Sequence, residues 1–156
     1  MDFEDFEESA EQELKRADHL IYVTLKYTRT TEVIKNTIKR LINALDFAIL
    51  EALKICEVKN ISDVPRRRVN QLGETIPELK AIVKFYLVLK EVDAAPHTGK
   101  EEYRKNVTLL TKPGNVNVER LKEFFEKTII YVKHVEEVAR EKKKTGKKEK
   151  SKRFKN

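Results

Sequence analysis

Apolar residues recur along this chain at steps of three and four, with charged residues between them, over nearly its whole length. That spacing gathers them on one side of a helix. Leu14, Ala17, Ile21, Leu25 and Thr28 form the first such stripe, and Leu20, Thr24 and Tyr27 widen it. It predicts a first helix from about Ser9 to Thr28, with Ser9 as a candidate N-cap. A longer seam runs from Val33 and Ile34 through Ile38, Leu41, Leu45, Ile49 and Leu53 to Cys56, with no helix breaker inside it. It predicts a second helix over about 31–58, roughly 40 Å long at ~1.5 Å per residue, as the central element.

A connection follows, with Ser62 as a candidate cap and Pro65 tolerated in the next helical turn. A short helix over 66–72 is predicted to end at Gly73. Thr75-Ile76-Pro77-Glu78 places a cap, a proline and a capping-box acid in order, and predicts a third long helix stopping before Pro96. Thr98-Gly99-Lys100-Glu101 repeats the pattern and opens a shorter helix through about Leu110, although Val107-Thr108-Leu109-Leu110 reads equally as extended. Lys112-Pro113-Gly114-Asn115 is a turn. Asn117 then caps a last helix with Leu121, Phe124, Phe125, Thr128, Ile129, Val132 and Val135 on its seam. The chain reads as all-α, a helical bundle of four main helices plus one short helix, with a disordered basic C-terminal tail. Leu41, Leu45, Ile49, Leu87, Phe125, Ile129 and Val132 are the expected common core.

Charge changes this picture most. From Arg140 to Asn156 there are ten Lys or Arg and two Glu, a net of +8, whereas the whole chain is +7. Residues 1–139 are therefore near neutral, at −1. Residues 2–13 hold seven acids and no base. The expected division is an acidic N-terminal arm at 1–13, a helical bundle domain at 14–140 and a disordered basic tail at 141–156. At 38% charged residues, the exposed faces should be densely ionic. Only four Gly and four Pro leave little turn chemistry, which argues against an all-β chain. Abundant Lys, Glu, Ile and Val without Trp is a bias also met in thermophile and archaeal proteins. Cys56 is the only cysteine, so no intrachain disulfide forms, which fits a reducing cytosol. Its spacing with Leu45, Ile49 and Ala52 predicts a buried, inert thiol. The acidic N-terminus is unlike a signal peptide, and apolar runs fall short of the ~20 residues of a membrane span. A cytoplasmic protein is the expectation.

Candidate chemistry lies first in the tail: Lys142, Lys143, Lys144, Lys147, Lys148, Lys150, Lys152, Arg153 and Lys155. Clustered lysines neutralise phosphates and release counterions without needing fixed structure. Lys outnumbers Arg there and Phe154 is the only aromatic residue, so base reading is poorly supplied and non-specific contact, with RNA foremost, is expected. A merely solubilising tail, or one meeting anionic lipid, is the alternative. A second candidate is a polar stripe on the first helix, Asp18, Tyr22, Lys26 and Arg29, with Lys15 and His19 beside it and Lys35 and Lys39 on the next helix. Such a stripe suits a phosphate, a partner or acid–base work, or is a salt-bridged surface. Arg66, Arg67 and Arg68 read as a solvated cationic turn, because successive helical residues point ~100° apart. His19, His97 and His134 have no metal-ligand spacing, and no Gly-rich phosphate loop or nucleophile elbow occurs, so no metal or cofactor is expected.

Two long N-terminal helices, a short one and a closing amphipathic helix resemble the small HEPN-type helical domains of prokaryotes. The segment Asp18–Phe47, DHLIYVTLKYTRTTEVIKNTIKRLINALDF, is also similar to small uncharacterised archaeal proteins. Many HEPN members are RNases with an Arg, four to six residues and then His. No Arg stands at that distance before His19, His97 or His134. The resemblance therefore implies a non-catalytic helical binding or dimerising module.

The leading expectation is a non-enzymatic accessory protein that contacts RNA or DNA non-specifically through its tail. The alternative is a helical protein–protein interaction module, such as a homodimer, with a solubilising tail. An enzyme using the first-helix stripe is the third reading.

Overall fold

A computed structural model describes the backbone of residues 8–154 and the side chains of residues 8–146. Among the described residues the fold is mostly helical, with five helices and one small sheet. Helix α1 covers Ala10–His19 and continues through a π-helical turn, Leu20–Thr24, into a last turn, Leu25–Tyr27. Ser9 caps it as expected, its hydroxyl accepting the Gln12 N–H at 3.2 Å. Residues 10–13 thus belong to the helix. Residues 1–7 lie outside the described part. Glu13 is buried within the bundle, paired with Arg16 at 2.7 Å and with Arg40 of the next helix at 3.3 Å.

Helix α2, Thr31–Ile55, is the central element and packs against α1 and three later helices. Leu41, Leu45, Ile49 and Leu53 on it are fully buried. It stops three residues earlier than the apolar seam suggests. Glu57 takes a left-handed conformation (φ 56°), with its N–H on the Lys54 carbonyl and the Val58 N–H on the Leu53 carbonyl. This is the two-bond closure usually made with glycine, and Glu in that place hides it from the sequence.

Helix α3 spans Pro65–Thr75 and α4 spans Lys80–Ala94, with a tight turn Pro77–Leu79 between them. Gly73 does not end α3. It lies inside the helix, where an added Cβ would stand 3.3 Å from Val83 of α4, so close helix packing accounts for it. Thr75 is the last residue of α3, and the capping box expected there does not form.

The shorter helix expected from Thr98 to Leu110 is absent. In its place a three-stranded antiparallel sheet runs β1 His97–Lys100, β2 Thr108–Thr111 and β3 Val116–Asn117, in that order. His97 pairs with Thr111, Lys100 with Thr108, and Leu109 with Val116. Val107, Leu109 and Thr111 are buried and the residues between them are less so. A helix would turn such alternate residues ~200° apart, so only a strand buries all three.

Helix α5, Val118–Phe154, closes the fold against α2 and α1. Asn117 caps it, accepting the Arg120 N–H at 2.8 Å. Leu121, Phe125, Val132 and Val135 are buried as expected. Ile129 is not, being 40% exposed, and Leu87 of α4 is only partly covered. Residues 141–146 continue this helix. Among the described residues, no helix is long and apolar enough to cross a membrane.

Candidate functional site

The end of α1, the β1–β2 loop and the start of α5 enclose a groove of about 470 Å³. Four cations reach it from three elements: Lys26 and Arg29, Lys105, and Lys122. Among the described residues none of the four pairs with a carboxylate within 4.0 Å. Glu119 is the one acid in the lining. Tyr22, Asn106, Thr108 and Asn117 add polar groups, and Ile21, Leu25 and Val118 form apolar parts of the wall.

These positions are held from below. The Tyr22 ring stands edge-on to Phe125, centroids 6.3 Å apart, and carries the Lys122 ammonium at 5.4 Å. The π-helical turn that contains Tyr22 is closed by the Leu25 N–H on the Leu20 carbonyl, and wide turns of this kind are frequent at functional sites. Arg29 lies in the link between α1 and α2, where its carbonyl accepts the Tyr103 N–H at 2.6 Å. Next to it the Glu102 carboxylate accepts the Thr31 N–H at 3.0 Å, which places an acid at the start of α2. The loop bearing Lys105 and Asn106 is thereby tied to the helix that follows Arg29. Within that loop Glu101 and Tyr103 have φ of 59° and 67°, unfavourable for such residues. A Cβ on Gly99 would collide with the Glu102 carboxylate. The Tyr27 and Tyr103 rings point to solvent, 85% and 78% exposed.

The expected stripe is therefore split. Tyr22, Lys26 and Arg29 share the groove. Asp18 is exposed outside its lining, Lys35 meets His97 Nδ1 at 3.4 Å, and Lys39 is exposed on α2. Lys105 and Lys122 were missed, because the fold brings them in from 76 to 100 residues along the chain and no local spacing records that.

In the tail, Lys142 donates to the Thr75 carbonyl at the end of α3 and lies beside Cys56. That contact ties the exposed Lys142 of α5 to the end of α3. Lys143 and Lys144 are exposed on the helix. The side chains of Lys147, Lys148, Lys150, Lys152 and Arg153, and all of Lys155, lie outside the described residues. Cys56 is half-buried, and burial pushes its thiol up, with Lys142 opposing.

Arg68 is a correction to the solvated turn. Arg66 and Arg67 are exposed, but Arg68 turns inward to Asp46 at 3.6 Å, and Asp46 also accepts the Tyr86 O–H at 2.6 Å. Burial, then that hydrogen bond, then the Asp46 charge hold the Tyr86 phenol far above its usual range, with Arg68 opposing. Tyr86 thus stays protonated at neutral pH and serves as a donor, not a base. Burial, then Glu11 and Glu51, also raise the Glu136 carboxyl, against Arg140. Among the described residues no group of three His, Cys, Asp or Glu is placed to hold a metal ion.

Comparison with protein-family models, curated proteins and solved structures found no match to this chain.

Proposed function

We infer that this is a non-enzymatic protein that contacts nucleic acid, RNA foremost, through its cationic C-terminus. The separation of charge carries the reading: a net of +8 after residue 139 on a body of −1. Such a layout suits a polyanion, since each contacted phosphate releases counterions. Lys142, which contacts the Thr75 carbonyl at the end of α3, is left unaltered in the test so that the fold is not disturbed. The resemblance to HEPN-type domains enters this proposal only as a non-catalytic helical module.

The test uses the full chain with Lys143, Lys144, Lys147, Lys148, Lys150, Lys152, Arg153 and Lys155 replaced by Gln. Binding of a single-stranded oligonucleotide should weaken by at least about tenfold, with the melting temperature unchanged. If about five of these cations contact phosphates, log K of the unaltered protein falls against log salt with a slope of roughly −3 to −4, and the variant loses most of it. Equal affinity and equal slope in the two proteins would refute the tail's role.

A helical interaction module is the second reading. It is favoured by Val23, Val88, Ile129 and Ile130, which are 40–63% exposed. Sedimentation equilibrium that finds only monomer at high concentration would dispose of a homodimer.

A further inference from the structure

Four cations face one groove without a carboxylate partner within 4.0 Å among the described residues, and like charges brought together raise the energy of the fold unless an anion joins them. The side chains that place them are ordered by other contacts: Lys122 on Tyr22, Arg29 beside the Tyr103 bond, and Lys105 on a loop tied through Glu102. The first turn of α5 opens at the same place, and its Val118 and Glu119 line the groove. A helix start adds positive potential to that already supplied by the side chains. The volume of about 470 Å³ is in the range of small-ligand sites and too small for a duplex.

Two exposed tyrosines adjoin these cations along the backbone, outside the groove's lining. Tyr27 follows Lys26 directly, and Tyr103 is bonded through its backbone to Arg29. Both rings are almost wholly in water, although a tyrosine ring gains from being covered. Cations combined with exposed aromatic rings are what proteins use to hold a single strand, with phosphates on the charges and bases on the rings.

We propose that this groove holds a backbone phosphate of single-stranded nucleic acid on Lys26, Arg29, Lys105 and Lys122, with adjoining unpaired bases stacked on Tyr27 and Tyr103. The site rests on the nucleic-acid reading given above but not on the tail. The tail supplies affinity for any polyanion, and the groove selects strands whose bases are free to stack. A duplex cannot offer such bases and meets only the tail.

The experiment compares a short oligothymidylate with a duplex of the same length, at fixed salt, for three full-length proteins. These are the unaltered chain, the tail-Gln variant, and a groove variant with Lys26→Gln, Arg29→Gln and Lys105→Gln. The chain has no Trp, so quenching of tyrosine fluorescence reports stacking directly. The unaltered protein should prefer the single strand and be quenched by it. The tail variant should bind more weakly but keep the preference and the quenching, and the groove variant should lose both and keep the salt-dependent remainder. Tyr27→Ala or Tyr103→Ala, at positions open to solvent, should each weaken single-strand binding by roughly 5- to 150-fold. An unchanged preference in the groove variant overturns the groove site. Free thymidine monophosphate or inorganic phosphate bound as tightly as the strand overturns the strand assignment. If the unaltered chain binds neither strand nor duplex at low salt, the nucleic-acid reading itself fails.

Discussion

Replacing Tyr86 with Phe removes one hydroxyl from the middle of α4 and leaves the packed ring in place. The residue is fully buried, and its O–H donates to Asp46 Oδ1 at 2.6 Å. A hydrogen bond to a charged acceptor contributes about 1.5–3 kcal/mol, so the variant should be less stable at neutral pH by about 2 kcal/mol. Arg68 still faces Asp46 at 3.6 Å, which keeps the carboxylate from being stranded. High pH separates this explanation from a simple packing defect. Burial, then the hydrogen bond, then the charge of Asp46 hold the folded-state phenol far up, whereas in the unfolded chain it ionises near pH ~10. A folded-state value raised in this way gives stability that is complete below pH ~10 and declines above it, by about 1.4 kcal/mol for each pH unit. Phe cannot ionise, and every other titrating group is common to both proteins. The difference between them should therefore shrink by roughly 2.3 kcal/mol between pH ~10 and pH ~12, leaving the two level or reversed. Urea unfolding followed by circular dichroism across that range measures it. A difference that stays constant while both proteins remain folded would refute the buried Tyr86–Asp46 bond.

Two further outcomes concern the frame of the site. Leu45→Ala, at a fully buried position on α2, should cost on the order of 2–5 kcal/mol, whereas Ile129→Ala, 40% exposed, should cost under about 1 kcal/mol; equal losses in urea unfolding would mean that α2 is not central. Glu102→Ala removes the acid at the start of α2 and should destabilise by about 1 kcal/mol, with faster amide hydrogen exchange at Thr31 and in the 101–107 loop, and unaltered exchange there would show that the loop is not tied by this contact.

The periodicity of apolar residues was enough to place α1, α2, α4 and α5 and to make α2 central, because long helices bury one face whatever their neighbours do. Ser9 and Asn117 were legible as caps for the same reason: a cap acts within its own turn. The charge layout needs no structure at all, since it is a count along the chain. Tertiary structure decided the rest. Residues 97–111 carry a capping-box pattern, yet the burial of Val107, Leu109 and Thr111 beneath the bundle selects strands. Gly73 looked like a helix end and proved to be a point of close approach to Val83. Arg68 looked like a solvated cation, and only the folded chain brings Asp46 within its reach. The groove is the clearest instance. Tyr22, Lys26 and Arg29 share a face that the sequence displays, but Lys105 and Lys122 join them through the hairpin and the return of α5. Local spacing specifies which side of a helix a residue takes; only packing specifies which distant residue it meets.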